Sequence, residues 1–344
     1  MAEDIKLPCL LWEERERALD WLTALLPTLL ISWIYYRWSA VWLELLAVGG
    51  YLMAARLLAR TQTASISPAP AVVTGLLVAF CLPATTPYWP AALAGGVAAL
   101  VTALPELLYR RWPDSPVSRP LWQPALAGYL FVRLLFPSAV SAFSMPVLWS
   151  GVDAVATATP LAAFSGEDLL MDTQHLLFGI RAGALGEICA VATLLGAAYL
   201  LVRRRLRAIA PVCLLGTVSI LSWCVWNSPL YGILAGGTLL GALLFADRTL
   251  APVGWREQVT VGILAGVAIV LCRRFAGVDG TAVAVLIVGT LQPLLPFVYR
   301  GILYIWRLVY PGLLWIYACL RKWVFPWFVS LWKCFVTKIS KKQK

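Results

Sequence analysis

Charge is scarce in this chain of 344 residues: Asp, Glu, Lys and Arg make up 13% of it, against roughly a quarter in a soluble globular domain. Histidine is nearly missing, with His175 the one example, and none of the eight cysteines stands in a Cys-x-x-Cys spacing. These absences exclude bis-His haem and any Cys-ligated iron–sulfur or zinc site built by this chain alone. No strand, glycine loop and helix follow one another as a phosphate cradle, so a Rossmann-type nucleotide pocket is excluded as well. A secreted disulfide scaffold does not fit either. The cysteines are sparse, and most lie inside apolar runs (Cys81, Cys189, Cys213, Cys224, Cys272), where a small buried thiol is ordinary.

What the chain has in plenty is apolar sequence: 61% of residues, with a mean hydropathy of +0.80. Residues 61–105, 208–246 and 280–299 hold no Asp, Glu, Lys or Arg at all. About 20 apolar residues cross the hydrocarbon layer, so the chain reads as an all-α protein that spans a membrane many times. The net charge of +11 does not point to nucleic acid. Six of the seven lysines fall from Lys322 onward, beside aromatic apolar stretches, which suits contact with a membrane surface.

Apolar segments fall at about residues 18–36, 40–59, 69–82, 88–109, 121–137, 175–202, 208–226, 230–246, 258–272 and 281–299, which makes ten expected spans. Residues 1–17 carry Glu3, Asp4, Glu13, Glu14 and Glu16, unlike the basic start of a signal peptide, and are expected to stay on the cytoplasmic side. Alternating the sides from there assigns 23 of the 28 basic residues to the cytoplasm and three (Arg37, Arg273, Arg274) to the outside, with Arg133 and Arg181 inside segments. Lys and Arg are retained on the cytoplasmic side, so this split supports both the count and the orientation.

Two five-helix halves, residues 18–137 and 175–299, flank a long connection, residues 138–174. An odd number of spans per half places the halves in inverted orientation, as in many transporter folds. The third and eighth segments correspond in position, and both are short, proline-bounded and glycine-containing, as discontinuous helices lining a site would be. Close helix contact alone also accounts for such glycines, and for Gly179 with Gly183 and Gly262 with Gly266. Residues 300–344 change character: Trp, Tyr and Phe crowd together, interrupted by Arg307, Arg321, Lys322 and Lys333. We expect interfacial helices there, broken at Pro311 and Pro326, with a lysine tail against anionic lipid.

The connection at 138–174 has no basic residue, carries Asp153, Glu167, Asp168 and Asp172, and falls outside by the charge count. Within it runs Asp153-Ala-Val-Ala-Thr-Ala158-Thr159-Pro160-Leu161. Small neighbours leave a threonine hydroxyl accessible to a modifying enzyme, while Thr-Ala-Thr-Pro is also an ordinary turn sequence. This stretch resembles the flavinylation motif Asp-x-x-Ser/Thr-Gly-Ala-Thr of the D subunit of the Rnf ion-translocating electron transport complex and of the related B subunit of the sodium-translocating NADH:quinone oxidoreductase. Further segments are similar to that family: Val72 to Pro83 to its third helix, Gln123-Pro124-Ala125 to its Asn-Pro-Ala, Gly186-Glu187 to its sixth helix and Gly241 to Asp247 to its eighth. The likeness covers about residues 65–299.

The resemblance implies FMN joined through its phosphate to Thr159, with Asp153 serving recognition by a flavin transferase and Ala158, Pro160 and Leu161 framing the acceptor. Ala156 and Thr157 stand where the motif has Ser/Thr and Gly, which makes Thr157 a second candidate acceptor. It also implies a second, non-covalent riboflavin, partner subunits that supply iron–sulfur clusters and the NADH and ferredoxin sites, and a bacterial inner-membrane location with the loop on the periplasmic side. On this reading the chain is a non-autonomous subunit of a redox-driven Na+ or H+ translocase. Glu187, a carboxyl in an apolar run, is the candidate for ion coupling, or else a partner of Arg181 or of a backbone donor. A ten-helix solute or ion transporter without flavin is the alternative, and a cofactor-free membrane scaffold is a third reading.

Overall fold

The computed structural model describes residues 6–62, 68–111, 122–146, 173–179, 181–226, 228–248 and 251–292. Helices make up nearly all of it, and no named strand occurs among the described residues. The first group of helices is α1 (Lys6–Tyr36), α2 (Trp38–Gln62), α3 (Pro68–Cys81), α4 (Tyr88–Arg111), α5 (Pro124–Leu135) and the short α6 (Pro137–Val140). The second is α7 (Thr173–Phe178), α8 (Ala190–Val202), α9 (Ile209–Trp226), α10 (Pro229–Leu234), α11 (Thr238–Phe245), α12 (Trp255–Ala276) and α13 (Gly280–Leu291). Four stretches are long and apolar enough to cross a membrane: Arg15–Tyr36, Trp38–Arg60, Tyr88–Pro105 and Trp255–Phe275. α3, α5, α8, α9 and α13 are apolar but shorter.

Local chemistry sets the helix ends. At α5 the Gln123 side chain accepts from the Ala125 amide at 2.7 Å, and Pro124 occupies the first helical position, where no donor is needed. Pro68 and Pro229 open α3 and α10 in the same way. Arg37, at φ 52°, makes the one-residue turn between α1 and α2.

Long helices meet through small residues. A Cβ at Gly50 would stand 2.0 Å from the Ala92 carbonyl oxygen, and one at Gly95 2.1 Å from that of Ala47, so α2 and α4 approach backbone to backbone. Gly262 and Gly266 do the same for α12 against Ala210 and Leu214 of α9, as their spacing suggested.

The packing scheme repeats. α2 lies mainly against α4 and α3, and α4 against α5; α9 lies against α12 and α10, and α12 against α13. Between the groups, α1 packs on α8 and α5 on α13. Each of these seams carries a charged tie. Asp20 of α1 accepts from Arg203 Nε at 3.0 Å and Arg205 Nε at 2.5 Å beyond the end of α8. Asp279, just before α13, accepts from Arg133 Nε of α5 at 2.8 Å and from the Tyr129 hydroxyl.

One expectation changes in detail. The sixth segment is not a continuous helix: α7 stops at Phe178, residues 181–189 are non-helical, and α8 begins only at Ala190. Gly179, at φ 88°, starts the turn, and a Cβ there would meet Ile188 at 2.7 Å. Gly179 and Gly183 therefore shape a break in the chain and do not form a helix–helix contact.

Candidate functional site

Three non-helical turns meet between the short helices. The first, residues 82–87, follows α3; the second is residues 181–189; the third is Ala235-Gly236-Gly237, which splits the expected eighth span into α10 and α11. The discontinuous reading of that segment holds. Gly236 and Gly237 have φ of 68° and 67°, a region that a side-chain-bearing residue enters at a cost.

The first two turns are joined by backbone. Leu185 N donates to the Leu82 carbonyl at 3.0 Å, Gly186 N to that of Phe80 at 2.9 Å, and Pro83 pairs with Ala184 as an isolated antiparallel bridge. Non-helical backbone in a membrane protein survives away from water only where protein satisfies it, and these bonds do so for the amides of Leu185 and Gly186.

The third turn is held by two guanidinium groups. Arg181, 1% exposed, donates to the Leu234 carbonyl at 2.5 Å, the Ile188 carbonyl at 3.4 Å and the Glu187 carbonyl. Arg273, 5% exposed, donates to the carbonyls of Gly232 at 2.8 Å, Ala235 at 2.8 Å and Gly236 at 3.1 Å, and to the hydroxyls of Thr281 at 3.2 Å and Thr238. The end of α10 presents carbonyls without helical partners, and Arg forks answer them with charge-assisted bonds. Arg273, counted on the outer side by its position in the sequence, turns its side chain into the protein from the last turn of α12. Arg181 binds the carbonyl of Glu187, not its carboxylate. No Arg–Glu187 ion pair occurs among the described residues.

The second and third turns border a half-open cavity lined by Cys81, Tyr129, Glu187, Gly237, Gly241 and Thr281, with Leu126, Phe143 and Leu240 supplying apolar walls. Glu187 reaches it from the second turn, outside any helix; a Cβ at Gly237 would stand 3.4 Å from its Oε2. The open space admits roughly three water molecules. That space suits a solvated proton or a small cation. No cluster of three or more His, Cys, Asp or Glu that could hold a metal ion occurs among the described residues.

Asp153, Thr157, Ala158, Thr159, Pro160 and Leu161 lie outside the described residues, as do the expected interfacial helices of 300–344. The described approaches to the long connection are tied to the end of α1: Tyr36 donates to the Ser144 carbonyl at 2.8 Å and Tyr35 to that of Phe178 at 2.7 Å. His175 is exposed on α7, in keeping with a polar interfacial residue. Sequence reading missed the shared role of Arg181 and Arg273. The available signal was an Arg inside an apolar, glycine-rich run, which implies buried acceptors nearby.

Comparison with known proteins completes the picture. The family model described as NQR2, RnfD, RnfE matches residues 14–301. The D subunit of the proton-translocating ferredoxin:NAD(+) oxidoreductase complex of Clostridium ljungdahlii is 27% identical over 255 residues, covering 69% of this chain and 74% of that protein. The D subunit of the ion-translocating oxidoreductase complex of Salmonella paratyphi A is 26% identical over 331 residues, covering 82% of this chain and 92% of its own length. Its counterpart in Salmonella typhi is also 26% identical over 331 residues.

Proposed function

The chain belongs to the NQR2, RnfD, RnfE family, and on that premise we propose that it is the D-type membrane subunit of an ion-translocating ferredoxin:NAD oxidoreductase complex. The carrying observation is the extent of the likeness, which runs through both helix groups and covers 92% of a relative bearing that name. As a subunit it turns over nothing alone; partner membrane and peripheral subunits, the iron–sulfur and flavin proteins among them, complete the electron path.

Within this reading the chain crosses the bacterial inner membrane ten times. The broken α10–α11 unit and the turn-joined α7–α8 unit each count as one span, both termini are cytoplasmic, and residues 138–174 are external. The repeated packing scheme supports two five-helix halves in inverted orientation. α2, α3, α4 and α5 find their counterparts in α9, α10–α11, α12 and α13, while the cross-group seams pair α1 with α8 and α5 with α13.

Thr159 is the proposed attachment point of FMN, with Asp153 recognised by the flavin transferase and Thr157 the rival acceptor. FMN there supplies a carrier of one or two electrons, retained without a nucleotide pocket. The chain's own contribution to coupling lies in the cavity. Arg181 and Arg273 fix the α10–α11 break, which sets Gly237 beside Glu187, and the Glu187 carboxylate faces the cavity as the group that exchanges an ion with it.

Denaturing electrophoresis under ultraviolet light tests the flavin reading. The complex made with its transferase should give a fluorescent band at the mass of this chain, and Thr159→Ala should remove it. Fluorescence that survives in Thr159→Ala but disappears in Thr157→Ala moves the site without changing the function. A wild-type band without fluorescence, with an intact mass equal to the bare chain, would leave a flavin-free transporter in its place.

A further inference from the structure

A second buried carboxyl, absent from the cavity lining, lies on the seam between α1 and α2. Glu44 is 3% exposed and stands six residues after Trp38, roughly 9 Å along α2 from the Arg37 turn at 1.5 Å per residue. Its Oε1 is 2.8 Å from Ser32 Oγ and its Oε2 is 2.7 Å from Trp33 Nε1. Ser32 is fully buried, and Trp33 is 40% exposed at the rim.

No cation answers this carboxyl among the described residues: no Lys or Arg nitrogen lies within ion-pair distance, and both hydrogen-bond partners are neutral. The titratable groups on the elements packed here do not reach it. Tyr36 is engaged with Ser144, and Arg37, Tyr51 of α2, Cys81 of α3, Tyr88 of α4 and Tyr199 of α8 make no contact with Glu44. An unpaired carboxylate at such a depth is costly, whereas a carboxylic acid is not.

The hydroxyl of Ser32 carries one proton and faces two acceptors. It is 2.8 Å from the Leu29 carbonyl oxygen as well as 2.8 Å from Glu44 Oε1. If the Ser32 proton goes to Leu29, the short Ser32–Glu44 contact requires a proton on Glu44, donated to Ser32 Oγ. If the Ser32 hydroxyl rotates to Glu44, the carboxylate receives two donors, Ser32 O–H and Trp33 N–H. One heavy-atom arrangement thus serves both protonation states, and only a hydroxyl rotation separates them.

The same partners discriminate between ions. Trp33 Nε1 is a donor without a lone pair, so it can face a carboxylate oxygen but cannot ligate Na+. The Leu29 carbonyl is the remaining oxygen, and a Na+ ion replacing its water shell would find too few ligands.

We propose that Glu44, with Ser32 and Trp33, is a proton-binding site on the α1–α2 seam that takes up H+ and rejects Na+. The proton comes from water at the Arg37 turn and returns to it; none of this depends on the flavin reading. Infrared difference spectroscopy of the full chain in lipid vesicles, across a pH step with and without Na+, tests it. The expected result is a protonated-carboxyl carbonyl band worth one group per chain. It should be absent in Glu44→Gln, retained in Glu187→Gln, shifted in Ser32→Ala and indifferent to Na+. Coincident wild-type and Glu44→Gln spectra overturn the proposal, as does a wild-type band abolished by Na+. If Glu44→Gln does not assemble, Ser32→Ala decides: a shifted band supports the site and an unshifted one refutes it.

Discussion

Removing Arg273 and Thr281 singly and together tests whether the α10–α11 break is held by shared donors. Three carbonyls at the break, those of Gly232, Ala235 and Gly236, accept from Arg273. Two hydroxyl protons back it up: Thr238 reaches Gly232 at 2.8 Å or Ala235 at 3.0 Å, and Thr281 reaches Gly236 at 2.6 Å. In Arg273→Met, two protons serve three carbonyls, so one is orphaned, at a cost of about 1–3 kcal/mol. Relief of the desolvated guanidinium offsets part of that. In Thr281→Val alone, Gly236 keeps Arg273 and no carbonyl is orphaned, so the loss should stay below about 1 kcal/mol. In the double variant Gly236 loses its last donor and a second orphan appears. The guanidinium relief is common to the single and the double and cancels in the cycle, leaving a coupling of about 1–2 kcal/mol beyond the sum. Unfolding by SDS titration in mixed micelles measures all four corners. Additivity to within about 0.5 kcal/mol would refute the shared-donor account.

Two further substitutions probe the same framework. Gly237→Ala forces a side-chain-bearing residue to φ 67° and sets a methyl 3.4 Å from Glu187 Oε2, so it should destabilise by about 1–2 kcal/mol and slow ion uptake by reconstituted complex. Unchanged uptake would separate Glu187 from the ion path. Arg133→Leu breaks the partly buried pair with Asp279 and should cost about 1–2 kcal/mol, most of it recovered when Asp279→Asn is added, because the uncompensated charge is then gone; SDS titration of the double variant checks the recovery.

Much of the helical framework was legible because hydrophobic length is a one-dimensional signal. α3 ends at Cys81, one residue from the expected end, and the glycines of the eighth segment marked its break. Arg133 had no local partner to read. Asp279 is 146 residues away, and only packing of α5 on α13 brings it within 2.8 Å. The turn at 181–189 was hidden for a different reason: its composition is as apolar and small as that of a helix interface. What distinguishes it is where its amides go, across to the carbonyls of Phe80 and Leu82, and side-chain periodicity carries no record of that. Glu44 has no partner within its own helix to read, since Ser32 and Trp33 belong to the preceding one.

The paired turns after α3 and before α8 restrict how this molecule can move. Separating them would turn the Phe80 and Leu82 carbonyls toward hydrocarbon with nothing to replace the amides of Gly186 and Leu185. The stitch therefore resists any motion that parts the two helix groups at these turns, and a movement that keeps both bonds has to leave the turns together.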